Sequence, residues 1–548
     1  MKAAFLLLAA VAAHAACVIS GTVRDAESGK TLSGAHVYAK PLRADYSTAA
    51  GGGALQIGRI GIVLGEKPAI LRTSNEQGAF CFEDLTPATY NVLAEHAGYL
   101  ITTYGGRAKG DDGIRFEVAD GTEVPPIAIR MLAGATLGGM VFDPEGSPVA
   151  GAQVGLSRKV WGKGWTENAA AETASDANGA FRFSMLAPGT YYLSVEEDSF
   201  EDRSRTTLDA HGKPANRKTT ETFYSGSYTF AHATPIPLKA GEENTRLVMT
   251  MLPPGSRHFS GTLVKAELLL TPFARLNLQI EDGIGGNIEI PIGPDGAFSA
   301  DGLAPAKYQF SLNNAEGMSG NVDLTTGDVN GFVIEPDREL NLAVAVRTEG
   351  RDSAAGVPVA LIDRETAENC VSERDGPGRF YFSALSPGIY RIEAAEDGHY
   401  VKSLRIGGQV QKDTWFDLRQ SAPENVEVLI GSRMASMEGH LDLHQGDTHG
   451  LAVTVLAVDE TRSGAQVQYE DAVAGHTGKF SFDSLAPGKW RLLAVEGFDE
   501  GPWGSPELAE ALHEKSVAVE LGEGQKKNIA APVISPEEWE AALRKVGM

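Results

Sequence analysis

The densest group of metal-ligand side chains in the chain consists of His440, Asp442, His444, Asp447 and His449. Side chains on a strand alternate between two faces, so residues 440, 442 and 444 would share one face and could bind Zn²⁺ or Ni²⁺. In the simpler interpretation, Leu441 and Leu443 face a core and the polar side chains only face water. We favour that interpretation and predict neither a bound metal nor a cofactor.

Two aromatic segments could provide stacking surfaces for a ligand. They are Trp161-Gly-Lys-Gly-Trp165 and Phe223-Tyr-Ser-Gly-Ser-Tyr-Thr-Phe230. Flat, exposed rings can stack on sugars. The candidate ligand-binding residues are Trp161, Trp165, Tyr224 and Tyr228. The alternative is that these rings pack on the edge of their own domain or on a neighbouring domain.

Signatures of common hydrolases and nucleotide-binding enzymes do not match this sequence. His513-Glu514 continues as Lys-Ser-Val, which departs from the zinc-peptidase pattern His-Glu-x-x-His. Ser28-Gly-Lys-Thr31 resembles the end of a phosphate-binding loop, but Arg24 stands where the first Gly of that loop belongs. We therefore predict no catalytic residues and a protein that is not an enzyme.

One pattern occurs five times and indicates how the chain is built. It reads Gly-x-Phe-x-Phe-x-x-Leu-x-Pro-Gly/Ala-x-Tyr/Trp, with identical spacing in every copy. The copies are Gly78–Tyr90, Gly179–Tyr191, Gly296–Tyr308, Gly378–Tyr390 and Gly478–Trp490. Ala300 replaces the second Phe in the third copy. A repeat of this length predicts one structural unit used several times.

The repeated pattern predicts two strands and two turns of a β-sandwich. Both rings of Phe-x-Phe fall on one strand face, and the preceding Gly suits a hairpin turn with positive φ. Pro-Gly predicts a type II turn, with a type I turn as the alternative in the two copies that carry Ala88 or Ala306. The Tyr begins a second buried strand, and its hydroxyl needs a hydrogen-bond partner if the ring is buried. Each unit also opens with a short strand, which in four units contains a Gly two residues before an apolar residue.

The expected fold is all-β: five tandem immunoglobulin-like β-sandwich domains followed by a short C-terminal α-helix. The predicted segments are a secretory signal at 1–16 and domains at 17–133, 134–253, 254–337, 338–433 and 434–548. For the terminal helix, Ser535 is the expected N-cap, Pro536 suits its first turn, and Glu538 completes a capping box. A shorter helix is expected from Ser505.

The start of the chain and its cysteines predict export. A basic start, an apolar run and a small-x-small site indicate a cleaved secretory signal. The first unit alone has a Cys before its opening strand, Cys17, and a Cys inside its repeated pattern, Cys81, so we predict a disulfide between them. A lipid anchor on Cys17 is the alternative, although His14 stands where lipoprotein signals usually carry Leu. Cys370 is the remaining cysteine, and we expect it to be a small buried residue rather than a reactive thiol.

Composition excludes some classes of partner. The 548 residues carry a formal net charge of -24, which repels nucleic acid and anionic lipid surfaces. Beyond the leader, no segment approaches 18 consecutive apolar residues, so we expect no membrane-spanning helix.

The repeated pattern resembles the carboxypeptidase regulatory-like domain, a transthyretin-like or prealbumin-like β-sandwich related to Cna B-type repeats. The resemblance rests on the glycine-containing opening strand, the Gly-x-Phe-x-Phe hairpin and Leu-x-Pro-Gly-x-Tyr. It implies an exported structural or binding role without naming a ligand, because such folds serve as appendages, repeated stalks and starch-binding-like modules.

Together these observations predict an exported bacterial cell-envelope protein acting as a structural, adhesive or protein-binding scaffold. One alternative is a carbohydrate-binding protein that uses the aromatic segments. Another is an accessory subunit of an envelope enzyme or transporter, docked through the C-terminal helix. The expected partner is a protein or glycan of the envelope, and the expected location is the periplasm, the outer surface or the extracellular medium.

Overall fold

The computed structural model of the chain describes residues 17–42, 69–106, 113–119, 122, 124–161, 165–196, 206–207, 221–264, 275–281, 288–312, 319–335, 340–350, 356–364, 369–442, 452–461, 467–475, 477–498 and 501–546. The predicted signal at 1–16 and the residues His444, Asp447 and His449 lie outside these ranges. The chain forms two compact units: one contains the first sandwich, and the other contains the second to fourth sandwiches and most of the fifth.

The first sandwich consists of two sheets. Its strands are β1 (Ile19–Asp25), β2 (His36–Pro41), β3 (Ile70–Thr73), β4 (Ala79–Phe82), β5 (Ala88–Glu95), β6 (Thr102–Thr103), β7 (Phe116–Val118) and β8 (Ile127–Met131). One sheet has the order β4-β1-β8, and the other has the order β3-β2-β5-β6, with β7 also pairing with β5. β1 runs antiparallel to β4 and parallel to β8.

The second sandwich repeats this plan. Its strands are β9 (Ala135–Phe142), β10 (Gln153–Trp161), β11 (Trp165–Ala174), β12 (Ala180–Leu186), β13 (Gly189–Glu196), β14 (Thr206–Thr207), β15 (Thr222–Phe223), β16 (Ile236–Leu238) and β17 (Glu243–Thr250). Its sheets have the orders β12-β9-β17 and β11-β10-β13-β15, with β16 pairing with β13. A 3₁₀ turn covers Phe230–His232.

The third sandwich has the same two sheets. Its strands are β18 (Arg257–Leu263), β19 (Arg275–Ile280), β20 (Ile288–Pro291), β21 (Ala297–Leu303), β22 (Lys307–Leu312), β23 (Ser319–Asp323) and β24 (Val329–Ile334). The sheets are β21-β18-β24 and β20-β19-β22-β23, and β14 of the second sandwich extends the latter beside β20.

The fourth sandwich adds strands to one sheet. Its strands are β25 (Leu340–Thr348), β26 (Val359–Asp363), β27 (Asn369–Val371), β28 (Glu373–Arg374), β29 (Arg379–Leu385), β30 (Ile389–Ala394), β31 (Tyr400–Ile406), β32 (Gln409–Val410), β33 (Trp415–Asp417) and β34 (Val426–Gly431). The order β28-β29-β25-β34-β31-β32 extends the three-stranded sheet of the other copies, and β27-β26-β30-β33 faces it.

The fifth sandwich joins its two sheets through one strand and carries both helices. Its elements are β35 (Ala435–Asp442), β36 (Val453–Asp459), β37 (Tyr469–Val473), β38 (Lys479–Leu485), β39 (Gly488–Glu496), α1 (Pro506–Ala511), a 3₁₀ turn (His513–Lys515), β40 (Val517–Leu521), β41 (Lys526–Ile534) and α2 (Pro536–Lys545). β41 pairs first with β35 and then, at Val533 and Ile534, with β39. The order is therefore β37-β36-β39-β41-β35-β38, with β40 beside β39.

All five copies share one arrangement, which confirms the all-β, tandem-sandwich fold. In each, the opening strand lies between the Phe-x-Phe strand and the closing strand, antiparallel to the former and parallel to the latter. The Tyr or Trp strand lies in the other sheet, so Leu-x-Pro crosses between sheets. The exact domain boundaries stay a prediction. No helix among the described residues has the length and hydropathy needed to cross a membrane.

The Tyr that ends each repeated pattern finds the partner that its buried hydroxyl requires. The backbone carbonyl four residues earlier, between Leu and Pro, accepts its hydrogen bond. The pairs are Tyr90–Thr86 (2.9 Å), Tyr191–Ala187 (2.8 Å), Tyr308–Ala304 (3.2 Å) and Tyr390–Ser386 (2.8 Å). In the fifth copy the indole N–H of Trp490 donates to Ala486 at 2.9 Å. One corner geometry therefore explains why either Tyr or Trp, but no purely apolar ring, occupies this position.

The two predicted turns differ in outcome. The Gly before Phe-x-Phe has positive φ in all five copies, as predicted: 71° at Gly78, 78° at Gly179, 81° at Gly296, 62° at Gly378 and 74° at Gly478. The predicted type II turn at Pro-Gly is wrong. Gly189 and Gly488 have φ of 152° and 154°, far from the value near +80° that this turn needs. The chain crosses between sheets there, so no tight reversal is required.

The exception at Ala300 is compensated across the strand pair. In four copies the second Phe lies opposite Ile, Leu or Met of the opening strand; the pairs are Ile19↔Phe82, Leu137↔Phe183, Leu342↔Phe382 and Met437↔Phe482. In the third copy Ala300 lies opposite Phe259. The Phe259 ring is fully buried and lies 5.1 Å from that of Phe298. The large and small residues have therefore exchanged strands while the core stays filled.

This exchange predicts a specific double-mutant result. Ala300→Phe alone is expected to overpack the third core and destabilise it by about 1–3 kcal/mol, because Phe259 already fills the space. Adding Phe259→Leu is expected to recover most of that loss, which calorimetry of the two variants and of Phe259→Leu alone would measure as coupling. Equal stability of Ala300→Phe and the parent chain would contradict the proposed exchange.

Candidate functional site

The repeated side chains are used by the cores, so the candidate sites are the features in which the copies differ. Four of them can be placed: the cysteines of the first copy, the aromatic segments of the second, the added strands of the fourth and the helices of the fifth. The structure shows what each of these features contacts.

Cys17 and Cys81 are joined by a disulfide in the first sandwich. Their Cα atoms lie 5.5 Å apart and 64 residues separate them in sequence, which is an ordinary disulfide spacing. The bond ties the residue preceding β1 by two positions to the middle of β4, its antiparallel neighbour. Glu83 lies close to both sulfurs, and these three residues form the only metal-ligand group found among the described residues. Sulfurs bonded to each other do not ligate a metal, so this group has a structural role.

Two members of the predicted His and Asp cluster can be placed. His440 and Asp442 are exposed on β35, whereas Leu441 between them is buried. This is the alternation expected for polar residues facing water and an apolar residue facing the core. The remaining members lie outside the described residues.

Trp161 contacts the fifth sandwich. Its backbone N–H donates to the carbonyl oxygen of Gly501 at 2.8 Å. A Cβ placed on Gly504 would lie 2.7 Å from Cδ1 of Trp161, so the absent side chain of that glycine leaves room for the indole. Trp161 is half-buried and adjoins a segment whose Trp503 is 1% exposed. The side chain of Trp165 lies outside the described part of the structure.

The aromatic residues of the second segment lie mainly within their own sandwich. Phe223 and Phe230 are buried, with ring centroids 6.0 Å apart, and Tyr192 packs on Phe230 at 4.8 Å. Tyr224 packs on the second core, and the hydroxyl of Tyr228 donates to the carbonyl of Pro253 at 3.1 Å. Tyr224 and Tyr228 remain candidate ligand-binding residues only as partly exposed rings at this edge.

The contact of Trp161 gives a prediction that separates packing from ligand binding. Trp161→Ala is expected to destabilise the fifth sandwich by about 2 kcal/mol, since roughly half of a large aromatic surface loses its packing. Hydrogen exchange measured on peptides from β36 and β39 across a urea series would report this loss. Retention of full stability together with lost binding on a glycan array would instead assign Trp161 to a sugar site.

The apolar stripe of the C-terminal helix, the predicted docking element, packs within the fifth sandwich. Ser535 and Glu538 form the predicted capping box, and Ser505 caps α1, so both helices begin where expected. The apolar stripe of α2, however, packs on its own sandwich: Trp539 is fully buried beside Trp503 and Phe498. The helices cover the outer face of the sheet containing β36 and β39, whose residues are therefore buried on both faces.

Sequence reasoning missed an ionic cluster between the fourth and fifth sandwiches. Lys402 Nζ lies 2.7 Å from Glu349 Oε1 and 2.7 Å from Glu523 Oε1. Both carboxylates raise the pKa of Lys402, and the hydrogen bond from Lys402 is the main cause of a lowered pKa at Glu523. Burial, with the nearby Glu523 carboxylate, raises the pKa of Tyr400 to about 12. The members of this cluster lie far apart in sequence, so no local sequence pattern indicates them. In the structure they accompany the strands that are added to the fourth copy's sheet.

Comparisons with known proteins agree with this architecture. Residues 136–222, which run from β9 to β15, match the sequence model of the carboxypeptidase regulatory-like domain. No curated protein matches the chain.

Similar solved structures include three Gram-positive pilins. GBS52, the minor pilin of Streptococcus agalactiae, is 14% identical over 43% of this chain and 95% of its own, with a TM-score of 0.22. A streptococcal ancillary pilin is 11% identical over 50% and 98% of the two chains, with a TM-score of 0.19. BcpA, the major pilin subunit of Bacillus cereus, is 12% identical over 73% and 99%, with a TM-score of 0.14. Residues 136–222 are thus similar to a carboxypeptidase regulatory-like domain, and they form one of a series of β-sandwiches in this chain.

Proposed function

We propose that this chain is an exported, non-enzymatic scaffold of a bacterial cell envelope, built from rigid sandwiches that hold a protein or glycan partner at loop surfaces. One observation carries the proposal: the features that distinguish the copies make contacts inside the chain. The disulfide ties strands of the first sandwich, Trp161 reaches the fifth, Lys402 bridges the fourth and fifth, and Trp539 covers the fifth. The sulfur, aromatic and charged side chains that distinguish the copies therefore stabilise the sandwiches and the contacts between them.

The disulfide supports the export part of the proposal. Structural disulfides persist in oxidising compartments and are rare where thiols are kept reduced. The strongly acidic charge of -24 also suits a soluble exported chain and disfavours nucleic acid as a partner.

Fractionation with thiol labelling tests export. The full chain, made in a bacterium with residues 1–16 intact, is expected outside the cytoplasm with Cys370 as its only cysteine labelled under denaturing, non-reducing conditions. A chain recovered from the cytoplasm with all three cysteines labelled would contradict export.

Affinity capture from the native envelope, followed by partner identification, tests the scaffold role. A defined partner should be retained by the full chain and released when loops at a sandwich end are replaced. A turnover activity that copurifies with the chain and disappears with one of its point variants would contradict the non-enzymatic proposal.

The carbohydrate alternative has less structural support. It relied on Trp161, Trp165, Tyr224 and Tyr228 as free stacking rings, yet Trp161 contacts the fifth sandwich and the Tyr228 hydroxyl is engaged with Pro253. The docked-subunit alternative loses its proposed element, because the apolar stripe of α2 is buried in its own sandwich.

A further inference from the structure

The fourth sandwich differs from the first three in the strands added beyond its closing strand, of which β31 is the first. Its closing strand β34 pairs with β25 on one side and with β31 on the other. In the first three sandwiches the equivalent strands β8, β17 and β24 end their sheets within the described parts of the chain. The added strand therefore needs an explanation that the common fold does not supply.

The register of β31 places its first residues at the junction with the fifth sandwich. Tyr400, the first residue of β31, lies opposite Gly431, the last residue of β34. The connection to the fifth sandwich follows directly, because β35 begins at Ala435. A Cβ on Gly431 would lie 2.5 Å from Cζ of Tyr400, so this glycine makes room for the ring.

A β-bulge in the same strand directs Lys402 toward the junction. Val401 pairs with Ile430 and Ser403 pairs with Leu429, so Lys402 is the extra residue that no partner opposes. Such a residue is re-aimed relative to the regular alternation of the strand. Its amine meets Glu349 of its own sandwich and Glu523 of the next, each at 2.7 Å.

The turn that carries Glu523 also holds the connecting segment. Gly524 donates its backbone N–H to the carbonyl of Arg433 at 2.9 Å, and the Arg433 side chain lies over Gly524. Arg433 also contributes to the lowered pKa of Glu523. The connection is thus held by backbone contact on one side and by the ion pairs of Lys402 on the other.

We propose that β31 and its bulge form an ionic clasp that fixes the fifth sandwich against the fourth, with Lys402 as its central residue. Glu349 of the fourth sandwich orients the Lys402 amine, and Glu523 of the fifth sandwich forms the ion pair across the junction. The pairs are partly exposed, with side-chain exposures of 30–37%, so the clasp is adjustable by salt rather than permanent. The inference does not depend on the proposed function.

Amide hydrogen exchange of the full chain tests the clasp. The probe is the segment 519–526, which includes the Gly524 amide that bonds to Arg433. Lys402→Gln and Glu523→Gln are each expected to accelerate exchange there by about 2- to 5-fold, the range for a partly exposed ion pair. Lys412→Gln, which alters an exposed lysine of the same sandwich, is expected to leave exchange unchanged.

The salt dependence of exchange and control peptides from two strands inside the fourth sandwich complete the test. Raising NaCl from about 0.05 M to 1 M should accelerate amide exchange of segment 519–526 in the parent chain. It should add little in Lys402→Gln, because salt screens the ion pairs that this variant already lacks. Peptides from β26 and β30 should keep their protection. Unchanged exchange at 519–526 in both variants would overturn the proposal, as would acceleration that spreads through β26 and β30.

Discussion

Replacing Cys17 and Cys81 with Ser is expected to destabilise the first sandwich by about 4 kcal/mol. The bond closes a loop of 64 residues, and the loss of loop-closure entropy in the unfolded chain amounts to about 4 kcal/mol for a loop of that length. Few other contacts can compensate for the lost bond between these two strands, because β1 pairs with β4 over only four residue pairs. Urea denaturation, monitored through amide hydrogen exchange in β1 and β4, would measure the loss of stability for this sandwich separately.

Two controls make the disulfide result interpretable. Reducing the parent chain should produce a similar loss, whereas Cys370→Ser, which changes the cysteine outside the disulfide, should change the first sandwich very little. A double variant as stable as the parent under non-reducing conditions would show that the bond contributes nothing to this sandwich.

Trp539→Ala is expected to destabilise the fifth sandwich by about 3–5 kcal/mol, the range for truncating a large buried aromatic residue. Trp539 is fully buried, with ring centroids 5.8 Å from Phe498 and 6.0 Å from Trp503. Its removal leaves a cavity under α2 and loosens the cover over β36 and β39. Hydrogen exchange measured on peptides from β36 and β39 across a urea series would report the change.

A matched variant in the same helix separates packing from helix stability. Glu540→Ala changes an exposed residue beside Trp539 and should alter stability by less than about 0.5 kcal/mol. If Trp539→Ala behaved like Glu540→Ala, the helix would not be part of the fifth core, and α2 would again be a candidate docking element for a partner.

Local patterns predicted the parts of the fold in which the determining residues are close in sequence. Both rings of Phe-x-Phe are buried, the Gly before them has positive φ, and Ser535 with Glu538 caps the last helix. Each of these follows from alternation on a strand, from the conformational freedom of glycine, or from unpaired N–H groups at a helix start. The type II turn was wrong because Pro-Gly leads between two sheets, which a four-residue pattern does not show.

Local sequence patterns are sufficient to predict five sandwiches, their buried faces, the helix starts and the need of the corner Tyr for a partner. The contacts of the side chains that distinguish the copies depend on tertiary packing: Phe259 lies opposite Ala300, Trp161 against Gly504, Trp539 beneath its own helix and Lys402 between two sandwiches. Periodicity reports which face of an element is buried, since that depends on residues two positions apart on a strand and three or four apart on a helix. It does not report which distant element covers that face, because pairing across sheets and sandwiches depends on register and on bulges such as the one at Lys402.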